Sequence, residues 1–147
     1  MAQGDLDRIL VIEQAVFRSP WSRASFESEV SGDPASLSWV AELGGAVVGY
    51  LISWHVADEL HIGNIAVAPV AQGRGVASEL LRNALSVAAA RGIAYATLEV
   101  RVSNQRAIRI YERFGFGPIA IRKRYYTDDG EDALVMAKDL AGAEESR

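Results

Sequence analysis

Cysteine is absent from this sequence, and long apolar runs are absent as well. Without cysteine there is no disulfide framework, no thiolate zinc site and no cysteine nucleophile. The longest apolar run, residues 46–52, is far shorter than the roughly 20 residues of a membrane-spanning helix. The N-terminus lacks the basic start and apolar middle of a signal peptide. These absences predict a soluble, cytoplasmic protein with no membrane partner.

Histidine and positive charge are also scarce. His55 and His61 are the only histidines, and because neither has neighbouring ligands in the sequence we predict no metal site. The 15 basic and 19 acidic residues give a net charge of −4, which gives no support to nucleic-acid binding through phosphate neutralisation. With 147 residues, 50% hydrophobic and 23% charged, the chain is typical of one globular domain. We expect that domain to span residues 1–140, followed by a frayed tail at 141–147.

Apolar spacing and turn residues predict helices and strands in an alternating order. Helices are predicted at 6–17, at 22–30, from Val76 to a stop at Arg91-Gly92, and at 103–114, the last capped by Ser103. Strands are predicted at 37–42, 46–55, 60–67, 95–100, 116–122 and 133–137. This order predicts an α/β protein with a mixed sheet covered by helices.

A glycine-containing loop follows the third predicted strand and leads into the longest predicted helix. Its sequence is Gln72-Gly73-Arg74-Gly75-Val76-Ala77-Ser78. The first turn of a helix has unpaired N–H groups and a partial positive charge, so an anion fits there. The spacing matches neither the dinucleotide fingerprint nor the triphosphatase loop. The alternative interpretation is a tight strand-to-helix turn that binds nothing.

The segment 72–77 resembles the Gln/Arg-x-x-Gly-x-Gly/Ala signature of the Gcn5-related N-acetyltransferase (GNAT) superfamily, whose backbone amides hold the pyrophosphate of acetyl-CoA. Other blocks are similar to the ribosomal-protein alanine N-acetyltransferases within that superfamily. These blocks are residues 12–13, 20–22, 26, 64–67, 98–101, 103–104, 107–108, 111–112, 115–116, 124–126, 131–133 and 136. The resemblance implies a single-domain GNAT-type fold with a mixed, mostly antiparallel sheet flanked by helices and a splayed central strand pair.

One departure from the family concerns the N-terminus. Such proteins usually begin with a strand before the first helix, and residues 1–4 leave almost no room for it. We therefore expect this edge strand to be missing or vestigial.

The resemblance also implies how acetyl-CoA would be held. Main-chain amides would hold its pyrophosphate, and Arg74 is interpreted as a loop residue or as a charge that faces the phosphates. The residues of this loop that would bind the coenzyme are Gln72, Gly73, Arg74, Gly75, Val76, Ala77 and Ser78. In the family a bulged strand splays from its neighbour and admits the pantetheine arm, and the backbone at Ile65, Ala66 and Val67 would supply the donor for the thioester carbonyl. Asn104 would contact the coenzyme, although it could simply assist a helix cap.

Two residues are the candidates for catalysis. Glu99 lies in the apolar strand 96–100, where the family has a general base, and we expect burial to raise its pKa. The alternative is a glutamate on the solvent side of an edge strand. Tyr111 lies where the family has the general acid that protonates the leaving thiolate, and its alternative role is core packing.

The acceptor site is less well specified by the sequence. Asp58, Glu59 and the segment 127–131 could place negative charge near an acceptor peptide, or could form two solvated turns. Tyr125 and Tyr126 could wall the acceptor site, or could pack as ordinary aromatic residues.

The function implied by the resemblance is acetyl transfer from acetyl-CoA to a protein N-terminal amine, that of the alanine of ribosomal small-subunit protein eighteen. Since cysteine is absent, direct transfer in a ternary complex is favoured over a cysteine acyl-enzyme. The alternatives are acetylation of a lysine or small amine, and a non-catalytic module that senses acetyl-CoA.

Overall fold

The described part of the chain, residues 1–30 and 32–140, forms helices on both faces of a six-stranded sheet in this computed structural model. The helices are α1 (Leu6–Val16), α2 (Arg23–Glu29), α3 (Val76–Ala90) and α4 (Gln105–Arg113). The strands are β1 (Ser36–Leu43), β2 (Ala46–Val56), β3 (Glu59–Val67), β4 (Tyr95–Arg101), β5 (Gly117–Arg122) and β6 (Ala133–Asp139). The tail predicted at 141–147 lies outside the described residues.

The strand order is β1-β2-β3-β4-β6-β5, and of these neighbouring pairs only β3 and β4 are parallel. A parallel pair needs a crossover connection, which α3 supplies between β3 and β4. The predicted α/β class and the mixed, mostly antiparallel sheet are confirmed.

The parallel pair is splayed, as predicted. β3 and β4 pair from Glu59 with Tyr95 to Ile62 with Leu98, and beyond that point β3 stays with β2 while β4 stays with β6. The β2–β3 register shifts beside Gly63, which is the extra residue of a bulge. A bulge bends its strand and increases its twist, and here it lies where β3 leaves β4. The splay opens a gap in the middle of the sheet.

Two hydrophobic cores fill the two sides of the sheet. On one side α1 and α2 bury residues such as Ile9 and Phe26 against Tyr50 of β2. On the other side α3 and α4 pack against the opposite face, to which β2 contributes Leu51. Because β2 is covered on both faces, it reads as a nearly continuous apolar run in the sequence.

The start of α4 differs from the prediction. Asn104, not Ser103, is the N-cap, since its side-chain oxygen accepts a hydrogen bond from Ala107 N at 3.2 Å. The Ser103 amide instead donates to Glu131 Oε2 at 2.8 Å. Both residue types cap helices well, so the sequence could not choose between neighbours.

The N-terminal residues take the place of the strand that was expected to be missing or vestigial. Gln3–Asp5 form a short 3₁₀ turn, and the amino group of Met1 donates to the Ser38 carbonyl of β1 at 3.4 Å. Within residues 1–30 and 32–140, β1 is therefore the edge of the sheet. None of the helices in these ranges is long and apolar enough to cross a bilayer.

Candidate active site

A cleft of about 1350 Å³ opens where β3 and β4 diverge. Its walls come from the end of α1 and the segment after it, β3, the loop before α3, β4, α4 and residues 125–128. Of the residues predicted for catalysis or acetyl-CoA binding, only Arg74 is not part of the lining. The predicted residues that line the cleft are Ile65, Ala66, Val67, Gln72, Gly73, Gly75, Val76, Ala77, Ser78, Glu99, Asn104 and Tyr111.

The glycine loop has the geometry of an anion cradle. Gly73 and Gly75 have φ values of 83° and 79°, in the left-handed region that favours glycine, and a Cβ at either position would meet no other atom within 4 Å. Glycine is therefore required by the backbone conformation and not by lack of space. Gly75 is the N-cap of the 15-residue α3, and the first turn of this helix, whose N–H groups have no partner within the helix, lines the cleft.

Gln72 fixes this loop to the sheet. Its side-chain Nε2 donates to the carbonyl of Val67, the last residue of β3, at 3.1 Å. The link holds the loop beside the β3 backbone at residues 65–67. These residues fit the phosphate and pantetheine ends of acetyl-CoA.

Glu99 projects from β4 and is hydrogen-bonded by a histidine. His61 Nε2 donates to Glu99 Oε1 at 2.8 Å, and the Tyr125 hydroxyl lies 3.5 Å from the same oxygen. The alternative of an edge-strand glutamate is wrong, because β4 lies between β3 and β6. The expected rise of the Glu99 pKa is also wrong. The His61 hydrogen bond lowers this pKa, since it outweighs the partial burial that acts in the opposite direction.

Tyr111 reaches the cleft from α4. Its ring packs edge-on against Phe116 at 6.0 Å between centroids, and the residue is buried. Burial raises the pKa of its phenol above the usual value of 10, so the hydroxyl keeps its proton at neutral pH. The side chain both packs in the core and lines the cleft, so the two interpretations of the sequence are compatible.

Asn104, like Tyr111, is compatible with both interpretations of the sequence, a residue of the site and a helix cap. It lines the cleft, and its Oδ1 caps α4. Its contact with the coenzyme stays a prediction.

The two acidic segments, residues 58–59 and 127–131, lie in different parts of the fold. Asp58 and Glu59 lie at the β2–β3 turn and are not part of the cleft lining, and the Glu59 carboxyl group accepts a hydrogen bond from Thr97. Asp128 does line the cleft, but it is paired with Arg101 at 2.9 Å.

Tyr125 and Tyr126 both line the cleft and pack edge-on against each other at 5.1 Å. Arg101 lies over the Tyr126 ring at 4.0 Å, and burial raises the pKa of Tyr126 to about 12. Both rings are therefore in position to contact an acceptor.

Sequence reasoning assigned no role in the site to two polar residues near the cleft, His61 and Glu13. Glu13 is 1% exposed and accepts hydrogen bonds from Trp21 N at 2.8 Å, from Asn64 Nδ2 at 2.9 Å and from the Tyr50 hydroxyl. Its signal was a carboxyl group within the apolar stripe of α1. The sequence alone does not place His61 near Glu99. Only the β3–β4 register does so, because it sets His61 opposite Thr97, two residues before Glu99.

The other histidine lies away from the cleft. His55 Nε2 is 3.0 Å from the Ala57 carbonyl oxygen. Across residues 1–30 and 32–140, no three His, Asp or Glu side chains are placed to hold a metal ion.

Comparisons with known proteins agree with this geometry. Residues 6–116, more than half of the chain, match the Acetyltransferase (GNAT) family. The chain is 41% identical over 132 residues to the putative [ribosomal protein bS18]-alanine N-acetyltransferase of Bacillus subtilis, covering 90% of this chain and 87% of that protein. It is 38% identical over 139 residues to the [ribosomal protein bS18]-alanine N-acetyltransferase of Escherichia coli K12, covering 93% of each.

Solved structures give the same picture. The crystal structure of the ribosomal-protein-S18-alanine N-acetyltransferase from Escherichia coli superposes with a TM-score of 0.88 at 36% identity, covering 95% of this chain and 90% of that one. Ard1 from Thermoplasma volcanium superposes with a TM-score of 0.86 at 26% identity, covering 95% and 93%. The chain belongs to the GNAT acetyltransferase family and is an acetyl-CoA-dependent N-acetyltransferase.

Proposed function

We propose that this enzyme acetylates the α-amine of a protein N-terminus, and that its acceptor is the N-terminal alanine of ribosomal protein bS18. The names of the Bacillus subtilis and Escherichia coli relatives support this acceptor. Amine chemistry supports the α-amine as well. With reference pKa values near 8 and 10.4, roughly 10% of an α-amine but roughly 0.04% of a lysine is neutral at about pH 7.

The observation that carries the proposal is that Glu99 and Tyr111 line one cleft together with the glycine loop. Glu99 comes from β4 and Tyr111 from α4, and the splay of β3 from β4 gives both access to the same space. Amine acetylation needs a base for the nucleophile and an acid for the leaving group. Both types of group are present with suitable protonation states, since Glu99 is ionised and Tyr111 is protonated at neutral pH.

The proposed reaction is a direct transfer. Glu99 takes a proton from the acceptor ammonium, and the neutral nitrogen then attacks the thioester carbonyl. Backbone N–H groups at residues 65–67 stabilise the negative charge that develops on the carbonyl oxygen. As the carbon–sulfur bond breaks, the Tyr111 hydroxyl donates its proton to the thiolate, and the second proton, which the nitrogen loses as it becomes an amide, returns to the Tyr111 phenolate.

Acetyl-CoA would lie along the sheet gap, with its pyrophosphate at Gly73, Gly75 and the first turn of α3. The left-handed glycines and the N-terminus of α3 support this placement. The pantetheine would run beside the β3 backbone, and Asn104 would contact the coenzyme from the start of α4.

The acceptor class is tested with two peptides and mass spectrometry. One peptide begins with alanine and has a free N-terminus. The other has the same sequence with a blocked N-terminus and a free lysine. We expect acetylation of the first peptide only. Exclusive acetylation of lysine would reject the proposed acceptor, and no acetylation of either would support the non-catalytic alternative.

The two catalytic roles are tested by Glu99→Gln and Tyr111→Phe. Because general acid–base groups contribute roughly 10² to 10⁴ in rate, we expect each variant to lower kcat at least about 100-fold. Acetyl-CoA affinity, measured by calorimetry, should stay nearly unchanged. The matched controls are Glu79→Gln on the exposed side of α3 and Tyr95→Phe at the exposed start of β4. Full activity of either test variant would remove that residue from the mechanism.

A further inference from the structure

His61 contacts the proposed base directly although it does not line the cleft. Its Nε2 donates to Glu99 Oε1 at 2.8 Å. The hydroxyl of Tyr125 approaches the same oxygen. Within residues 1–30 and 32–140, the side-chain hydrogen bonds that Glu99 accepts both go to Oε1, which leaves Oε2 for an acceptor ammonium. His61 therefore orients the group that would take the proton.

Aromatic stacking fixes the orientation of the imidazole. Trp54 of β2 stacks on His61 with centroids 5.7 Å apart and planes inclined by 29°. Trp54 in turn stacks on Trp21, which lines the cleft, and its Nε1 donates to Glu29 Oε1 at 2.8 Å. Since Trp21, His61 and Glu29 all contact the Trp54 side chain, the ring on which His61 stacks is well anchored.

The charges around His61 favour its protonated form. The Glu99 hydrogen bond is the largest influence and raises the pKa of His61 above 6.5. Partial burial and Arg122 lower this pKa, whereas the negative charges of Glu99 and Glu59 raise it. The imidazole therefore keeps its proton to a higher pH than a free histidine does, in direct contact with Glu99.

The charge of His61 has two consequences for the proposed chemistry. A protonated imidazole stabilises the Glu99 carboxylate and so makes it a weaker base. It also places a positive charge beside the site where a cationic acceptor must bind. A neutral imidazole still donates its Nε2 hydrogen to Glu99 but removes both penalties.

We infer that His61 is a positioning residue for Glu99, whose hydrogen bond aims the carboxylate at the acceptor and whose charge sets how strongly Glu99 attracts the acceptor's proton. This inference rests on the proposed role of Glu99 as base. The proton of the acceptor ammonium goes to Glu99 Oε2, and His61 keeps its own Nε2 proton throughout. The enzyme is then most active when His61 is neutral and Glu99 is ionised.

The kinetic test is His61→Gln, because a glutamine amide can donate the same hydrogen bond but cannot titrate. The ratio of kcat/KM between variant and wild type is measured from about pH 6 to about pH 9 with one alanine-starting peptide. The ionisation of the peptide amine cancels in this ratio. We expect the ratio to be several-fold larger at the acid end than at the alkaline end, because only the wild type loses activity as His61 becomes protonated.

The control is His55→Gln, which replaces the other histidine at a position away from the cleft, and its ratio to wild type should be flat with pH. A flat ratio for His61→Gln, at any level of activity, overturns the inference. If instead the wild type acetylates no peptide, the proposed function itself fails, so the two failures are distinct.

A second measurement needs no activity. The chain has two histidines, so their imidazole protons can be titrated by NMR and assigned with His55→Gln. We expect the His61 midpoint to lie above 6.5 and to fall towards 6.5 in Glu99→Gln. An unchanged His61 midpoint in Glu99→Gln overturns the inference.

Discussion

At the scale of single residues, Glu13 is a buried carboxyl group that accepts hydrogen bonds from three donors. Its carboxyl group joins α1 to the backbone at Trp21, to Tyr50 of β2 and to Asn64 of β3. Burial raises the pKa of Tyr50, so the phenol stays protonated and donates to Glu13. Glu13 also lines the cleft, so this network ties one wall of the active site to the sheet.

We predict that Glu13→Ala lowers the free energy of unfolding by about 3 kcal/mol, roughly 1 kcal/mol for each of the three donors left without an acceptor. Glu13→Gln should cost less, because its amide oxygen still accepts. Urea unfolding measures both. The control is Gln14→Ala, the exposed neighbour on α1, which should change stability by less than about 0.5 kcal/mol. Equal stability of Glu13→Ala and wild type would show that the network contributes nothing.

The sequence predicted the identity of the site residues better than their environment. The position of Glu99 in an apolar strand correctly indicated an unusual carboxylate, but its pKa is lowered and not raised. The reason is His61, which lies 38 positions earlier and meets Glu99 only through the pairing of β3 with β4. A pKa depends on partners in space, and a single sequence does not show such partners.

At the scale of secondary-structure elements, local patterns predicted the helices and strands to within a few residues. The apolar stripe from Val76 and the stop at Arg91-Gly92 agree with the observed α3, Val76–Ala90, because helical periodicity and caps are local properties. The splay of β3 from β4 came only from the family resemblance. Its cause is a bulge at Gly63, and nothing in the strand pattern marked that glycine as the extra residue.

Gly63 also leaves room for the ring of Trp54. A Cβ at position 63 would overlap that ring, and Trp54 is held by Trp21, His61 and Glu29. This overlap cannot be relieved by a small rotation of a flexible chain end. Gly63 therefore permits both the bulge and the stack that supports His61.

We predict that Gly63→Ala destabilises the protein by about 1–3 kcal/mol, as overpacking of a filled site usually does. It should also raise KM for the acceptor peptide, since displacement of Trp54 moves Trp21 in the cleft wall. Thermal melting and steady-state kinetics measure the two effects. Gly117→Ala is the matched control, because this strand glycine has nothing within 4 Å of its Cβ position. If the two variants behave alike, steric contact with Trp54 is not the reason for glycine at position 63.

At the scale of the whole molecule, Arg101 connects distant parts of the chain around the cleft. From the end of β4 its guanidinium binds Asp128 at 2.9 Å, Asp129 at 3.0 Å and Glu131 at 3.2 Å. Asp129 also binds Arg18, which follows α1, at 2.8 Å. The segment that carries the cleft tyrosines is thereby fixed to β4 and to the segment after α1.

Because of these contacts, the free energy of unfolding depends on pH in the acid range. The hydrogen bond from Arg101 is the main cause of the lowered pKa of Asp128, and a hydrogen bond from Ser103 is the main cause for Glu131. A carboxyl group with a lowered pKa in the folded state contributes stability above its unfolded pKa, about 4 here. That contribution is lost as the pH falls through the folded pKa, because the proton then competes with the partner.

We predict that the wild type loses stability steeply below about pH 4 and that Arg101→Met makes this acid slope shallower. Methionine keeps most of the side-chain length but removes the charge, so the pKa of Asp128 returns towards its unfolded value. The contribution of Asp128 to the pH dependence of stability then disappears. The measurement is the free energy of unfolding in urea over a series of acid pH values. Arg91→Met, at the exposed end of α3, removes the same charge elsewhere and should keep the wild-type slope. A parallel slope for Arg101→Met would mean that the carboxyl groups of residues 128–131 do not depend on Arg101 for their ionisation.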